Sequence, residues 1–237
     1  MTTILFIHGF PFDHLMWRQQ LAAFSRWRCI APDLPGAGAT PGFDSPDGYS
    51  MAGYATHLVG VLNQLKIRKA VICGLSMGGY IAFELLRRFP DRVRAAVLCH
   101  TKAAADTPEA KRGRDMLAAK AQKEGPRAVA AELIPKLIHE RKVVEEVTEM
   151  IARQPVAGIV GALRALRERP DSTPLLAAIR VPVLVVAGDA DQIAPAVGME
   201  EMAGAIPDAR FTLIPGSGHL SPLEQPAAFN AALSGFL

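Results

Sequence analysis

Six short apolar runs punctuate this 237-residue chain: Ile4–His8, Cys29–Ala31, Ala70–Cys73, Ala95–Cys99, Val183–Ala187 and Phe211–Ile214. Each is continuously apolar and followed by turn residues, the pattern of strands covered on both faces. Trp17–Phe24, Met51–Leu65, Gly79–Phe89 and Ala227–Leu237 read as helices between or after them. That alternation predicts an α/β fold, a six-stranded and mostly parallel sheet with helices on both faces. The length suits one such unit with a full core.

The rhythm breaks once. From about Pro108 to Arg169 no strand is evident and the apolar pattern turns helical. Val143, Val147, Met150 and Ile151 share one face, and Val156, Ile159, Val160 and Leu163 share another. Pro135, Pro155 and Pro170 are expected to divide this stretch into short helices. The expected layout is therefore a core of residues 1–106 and 171–237 with a helical cap, 107–170, inserted between the fourth and fifth strands. Such a cap is placed to sit over the carboxyl ends of the strands, the edge at which open α/β sheets bind ligands. Leu133, Leu137, Ile138, Val156 and Ile159 are its apolar candidates to overhang a cleft.

Composition excludes several classes. The net charge of +3 arises in one segment, Lys102–Asp171, with 14 basic and 11 acidic residues against 12 and 12 elsewhere. Both signs interleave there, as on a solvated helical surface and unlike a nucleic-acid stripe. No apolar run approaches the roughly 18 residues of a membrane helix, and no basic leader precedes the first strand. Cys29, Cys73 and Cys99 are far apart, without metal-ligand spacing. They read as buried free thiols of a cytoplasmic protein.

Chemistry concentrates at Gly74-Leu75-Ser76-Met77-Gly78, between an apolar run and a helical one. A serine on such a strand-to-helix turn is pushed outward, and glycines on either side let the turn close. The following helix aims its free N–H groups and positive dipole end at an anion formed beside Ser76. A serine hydroxyl needs a base to take its proton. Of six histidines, His219 stands in a glycine-flanked loop after the last strand, Pro215-Gly216-Ser217-Gly218-His219. His100, after the fourth strand, is the competitor expected to face the same cleft. His8 is expected to shape the loop that follows it, His14 and His57 to pack at the surface, and His139 to be solvated. A carboxylate must orient the base, and Asp189 and Asp191 both follow the strand Val183–Ala187. Either also suits a turn-capping role. Backbone N–H groups of Met77 and Phe10 are the candidates for an oxyanion hole.

Together, His8-Gly9-Phe10, Pro32-Asp33-Leu34-Pro35-Gly36, Gly74–Gly78, Gly188-Asp189-Ala190-Asp191 with Pro195, and Gly218-His219 with Glu224 and Pro226 resemble an α/β-hydrolase over almost the whole chain. The likeness is to small carboxylesterases and 3-oxoadipate enol-lactonases. It implies the hydrolase fold without its first two strands and with a small cap. It implies Ser76, Asp191 and His219 as catalytic residues, Asp191 because the family's acid lies four residues before a proline. It further implies hydrolysis of a small-molecule ester or lactone through an acyl-serine, with no cofactor and no metal. A cofactor-free perhydrolase or haloperoxidase-like enzyme, or a ligand-binding sensor with little turnover, are the alternatives. Haloalkane or epoxide opening is disfavoured, since those relatives carry Asp where this chain has Ser76.

Overall fold

The computed structural model describes residues 2–237. Six strands, β1 (Thr3–Ile7), β2 (Arg28–Ile30), β3 (Ala70–Leu75), β4 (Val93–Cys99), β5 (Val183–Gly188) and β6 (Ala209–Ile214), form one sheet. Its order is β2-β1-β3-β4-β5-β6, and every pairing is parallel. Every residue of β1, β3 and β5 is buried, which is why these runs are apolar on both faces instead of alternating. At roughly 1.5–3 kcal/mol per buried Val, Leu or Ile, this central band contributes strongly to the drive to fold.

Helices α1 (Arg18–Ala23), α2 (Met51–Gln64) and α3 (Met77–Arg88) belong to the first half of the sheet. Helix α2 starts where Ser50 Oγ accepts the Gly53 N–H at 3.0 Å, an N-cap bond. Ten consecutive residues of α3, Met77–Leu86, are buried. The one charge among them, Glu84, pairs with Arg87, which in turn donates to Ser172 Oγ at 3.0 Å. Between β4 and β5 run α4 (Pro108–Glu124), α5 (Pro126–Leu137), α6 (Val144–Ala152) and α7 (Val156–Arg167). After β5 come α8 (Ala196–Gly204), α9 (Ser221–Glu224) and α10 (Pro226–Phe236).

Two details differ from the sequence reading. Pro135 does not divide the inserted segment but lies inside α5. It falls in the last turn, where a proline removes only the bond from its own position to Ala131. Helix α8 is an element the apolar pattern did not reveal. It begins directly after Pro195 and buries Met199, Met202 and Ala203, a stripe too short to stand out.

The sheet order sets the position of the site. From β1 the chain moves to β2 on one side, then crosses to β3 on the other. At this switch point the loops leaving β1 and β3 diverge and a crevice opens at their carboxyl ends. Register aligns Ile7 with Gly74, so the loop beginning at His8 and the turn carrying Ser76 emerge side by side.

Candidate active site

Ser76 sits between β3 and α3 with φ +55° and ψ −111°. A residue with a Cβ rarely adopts such a backbone and keeps it only where surroundings over-determine it. Here its N–H donates to the Cys99 carbonyl at 2.8 Å, while its carbonyl accepts from Gly79 N at 2.9 Å and from Thr101 Oγ1 at 2.9 Å. The glycines are obligatory for packing. A Cβ on Gly74 would collide with the Gly78 carbonyl, and one on Gly78 with the Ile7 carbonyl.

Met77 opens α3, so its N–H has no acceptor within the helix. Among the described residues neither that group nor the Phe10 N–H donates to a protein acceptor. The loop carrying Phe10 is fixed by His8, which is wholly buried. Its Nε2 accepts the Leu34 N–H at 3.0 Å, so the neutral ring carries its hydrogen on Nδ1 and donates it to the Gly9 carbonyl at 2.9 Å. Burial, opposed by that carbonyl, lowers the His8 pKa and keeps the ring neutral.

His219 lies in the loop after β6, where its N–H donates to the Leu137 carbonyl at 2.8 Å. Its Nδ1 is 2.8 Å from Asp191 Oδ2 and 3.0 Å from Oδ1. Asp191, at the carboxyl end of β5, also accepts the N–H groups of Ile193 (2.8 Å) and Ala194 (2.9 Å). Burial pushes its carboxyl pKa up, but hydrogen bonds from His100 and His219 outweigh this and hold it far below the ordinary range. It is an ionised acceptor. Asp189 is exposed and turned away, accepting the Ser217 N–H at 3.2 Å. Bonds from Gly216 and Ser217 hold its pKa low, so it ties the His219 loop to β5. Glu224 ties the same loop to the inserted helices. Its buried carboxylate accepts His139 N at 2.7 Å, Glu140 N at 2.8 Å and Leu220 N at 3.2 Å.

Ser76 and His219 open onto one cleft. Phe10, Leu133, Leu137, Leu166 and Ile193 make its apolar wall, with Tyr80 and Arg114 as polar exceptions. Of the residues expected to line it, Leu133 and Leu137 do. Four do not. Ile159 faces an adjoining crevice beneath Phe10 and Met77, because it lies one turn along α7. Val156 opens that helix and lines an outer groove with Tyr49 and Arg164. Ile138 lies past the end of α5, in the extended turn clasped by Glu224. His100 is wholly enclosed behind Asp191, its Nδ1 2.9 Å from Oδ2. It faces the carboxylate instead of the cleft.

Tyr80, Arg114, Leu166 and Ile193 went unread in the sequence. Tyr80 is recoverable, being one helical turn beyond Ser76, and Ile193 lies two residues past Asp191. Nothing local marks Arg114 among the mixed charges of α4. In the structure its Nε donates to Asp106 at 3.1 Å, and the same carboxylate pairs with buried Arg169, stacked 4.3 Å over the Tyr80 ring. Two guanidinium groups thus share one carboxylate, leaving a positive excess beside an apolar cleft.

Two groups have the residue types to hold an ion. His100, Asp191 and His219 bring donor atoms within 4.8 Å of one another, as do Asp13, His14 and Asp33. In both, the carboxylate oxygens are already engaged. Asp191 receives four N–H bonds, Asp13 is taken by Arg153 and Gln154, and Asp33 by His14. Among the described residues no helix is long and apolar enough to cross a membrane.

The alpha/beta hydrolase fold family model matches residues 2–226. A 3-oxoadipate enol-lactonase of Acinetobacter baylyi is 30% identical over 236 residues, 97% of this chain and 86% of its own. Among solved structures, a malate-bound thermophilic esterase from Thermogutta terrifontis is 39% identical with a TM-score of 0.95, covering 99% of this chain and 89% of that one. The enol-lactonase from Burkholderia xenovorans is 28% identical with a TM-score of 0.91, covering 99% and 90%. With this sheet, its order and this match over nearly the full length, the chain belongs to the alpha/beta hydrolase fold family.

Proposed function

We propose that this protein hydrolyses carboxylic esters or lactones through an acyl-Ser76 intermediate, with His219 as base and Asp191 as the acid that orients it. The observation that carries this reading is His219, which shares a cleft with Ser76 while its Nδ1 is held 2.8 Å from an ionised Asp191. A hydrogen on Nδ1 leaves Nε2 free to accept the Ser76 proton as Oγ attacks the carbonyl carbon. The electron pair of the C=O moves to oxygen, and the N–H groups of Phe10 and Met77 receive the resulting oxyanion. Collapse breaks the ester C–O bond, and imidazolium His219 returns the proton to the departing alcohol oxygen. In a lactone that oxygen stays tethered to the acyl group. Water then repeats the sequence on the acyl-enzyme, giving the acid and restoring Ser76.

Arg114 directs the choice of substrate. A guanidinium with only half a carboxylate to itself, at the edge of an apolar cleft, favours an acyl chain ending in a negative group. The dicarboxylate malate bound to the Thermogutta terrifontis esterase has that chemistry.

Labelling with a fluorophosphonate and steady turnover of p-nitrophenyl esters test the reading, beside an enol-lactone as second substrate class. Ser76→Ala is expected to abolish labelling and lower turnover on the order of 10⁴-fold or more. A folded Ser76→Ala protein retaining over about a tenth of the rate would refute it.

A further inference from the structure

Asp191 carries a second histidine. His100 follows β4 with a left-handed backbone, φ +49°, and its N–H donates to the Val186 carbonyl at 2.9 Å. The side chain is wholly buried, with Nδ1 2.9 Å from Asp191 Oδ2 and Nε2 2.6 Å from Ser221 Oγ. An ionised carboxylate only accepts, so Nδ1 must carry the hydrogen. A neutral ring then leaves Nε2 to accept the Ser221 O–H. Neutrality follows from burial, which lowers the His100 pKa more than the neighbouring Asp191 raises it. Ser221, His100 and Asp191 thus form a buried Ser–His–Asp chain that meets His219 at the shared carboxylate. The two imidazoles stand edge to face, 5.5 Å apart and inclined at 68°.

We infer that His100 is a positioning residue for the triad acid, fixing the rotation of the Asp191 carboxylate and drawing charge from Oδ2 so as to set how strongly Asp191 favours protonated His219. This rests on the reading of Ser76, His219 and Asp191 as a triad. Backbone N–H groups hold only Oδ1, and both come from the turn after Asp191 itself. On Oδ2 the donors are His219 and His100 alone. Without His100 the carboxylate would keep His219 as its one donor on Oδ2, leaving its rotation less firmly fixed, and its undiluted charge would stabilise the imidazolium of His219 more strongly. Space filling does not account for the residue. A leucine fills similar volume without two ring nitrogens to satisfy in the core, and a strained backbone is an added cost.

Other ionisable groups surround the pair. Glu224 on α9 acts on His100, Tyr80 and Arg114 line the cleft, and Lys102, Asp106 and Arg169 lie close enough to act on Tyr80 or Asp191 through charge. Among the described residues none hydrogen-bonds to His100 or Asp191, so His100 is the one side chain besides His219 that can tune the acid directly.

The test pairs His100→Leu with His100→Asn, whose Nδ2–H can occupy the place of Nδ1–H and which tolerates positive φ. In His100→Leu, kcat is expected to fall on the order of ten- to a hundredfold, the scale for lost partners behind a site's primary ligands. The acid limb of kcat/KM should move to higher pH by about half a unit, a threefold change in the apparent Ka. His100→Asn should return the limb to its wild-type position and recover most of kcat. On the wild-type protein, long-range ¹H–¹⁵N spectra should show His100 as the Nδ1–H tautomer between about pH 5 and 8. That reading holds even where the leucine variant fails to fold. An Nε2–H tautomer, a folded His100→Leu with unchanged kcat and limb, or an asparagine variant behaving like leucine would overturn the inference. The underlying triad fails separately, through Ser76→Ala or Asp191→Asn variants that keep turning over.

Discussion

Asp191→Asn separates chemistry from stability, because the amide can satisfy only half of what the carboxylate does. Asp191 receives four N–H donors: two backbone groups on Oδ1, and His100 and His219 on Oδ2. An asparagine has one oxygen for acceptance and an NH₂ that only donates. With its oxygen kept toward Ile193 and Ala194, the NH₂ faces two Nδ1–H groups. Both rings must then shift their hydrogen to Nε2. For His100 this is tolerable, since Ser221 Oγ can accept as well as donate. For His219 it removes the lone pair proposed to take the Ser76 proton. Turnover should fall about 10⁴-fold, equivalent to about 5.5 kcal/mol of barrier. Stability should drop much less, by about 1–3 kcal/mol, since the backbone bonds survive and both rings can accept from the new NH₂. Asp189→Asn is the control. It faces solvent and holds the loop N–H groups of Gly216 and Ser217, so kcat should stay within a few-fold and stability within about 1 kcal/mol. Steady-state kinetics on a p-nitrophenyl ester, with urea unfolding for both variants, reads the two quantities independently. A larger kcat loss for Asp189→Asn, or an Asp191→Asn enzyme keeping a tenth of its rate, would refute the assignment.

Four further outcomes follow from the same geometry. Ser76→Gly should be inactive yet more stable by about 1 kcal/mol, or roughly 2–4 °C in Tm, because glycine relieves the positive φ; a lower Tm would argue against strain there. Arg114→Gln should lower kcat/KM for a p-nitrophenyl monoester of a dicarboxylic acid by about ten- to a hundredfold while sparing p-nitrophenyl butyrate, the scale of one hydrogen bond to a charged group; equal effects on both would remove Arg114 from recognition. Glu224→Gln puts a donor against one of three N–H groups and should cost about 2–4 kcal/mol, with faster amide exchange at His139 and Glu140; unchanged exchange would show that the carboxylate does not hold that turn. Stability should also fall as pH drops below about 6.5. His8 and His100 are held neutral by burial, so the unfolded chain takes up those protons first, at up to about 1.4 kcal/mol per pH unit for each; a flat stability between about pH 7 and 5 would contradict their buried neutral state.

What could be read from the chain was local. The Gly74–Gly78 turn constrains its own backbone, so Ser76 was identifiable without knowing what lies around it. The central strands were readable because strands buried on both faces must be apolar throughout, while β2 and β6, the partly exposed edges, still carry short apolar runs. His219 was marked by its flanking glycines, one of which meets the Leu137 carbonyl and His139 N–H so closely that a Cβ would crowd them. Helix α8 escaped because its buried stripe is only three side chains long. The choice between Asp189 and Asp191 rested on a resemblance, since both suit a turn after β5.

Tertiary structure decided whatever depends on partners distant in sequence. Asp191 reaches His219 across 28 positions, and His100 reaches Asp191 across 91, so a histidine that looked like a cleft residue proved to stand behind Asp191. Leu133 and Leu137 line the cleft while Val156 and Ile159 do not, because helix rotation, not hydrophobicity, decides which side of an apolar helix meets the sheet edge, and Ile138 misses it because the helix has already ended. Arg114 is one of 14 basic residues in its segment, and only packing against Asp106, Arg169 and Tyr80 distinguishes it. The sequence by itself determined the six strands and the turn carrying Ser76, since these depend on residues within a few positions of each other. Which carboxylate meets His219, where His100 stands and which side chains wall the cleft waited on the fold, since each is a distance between residues that the chain alone leaves undefined.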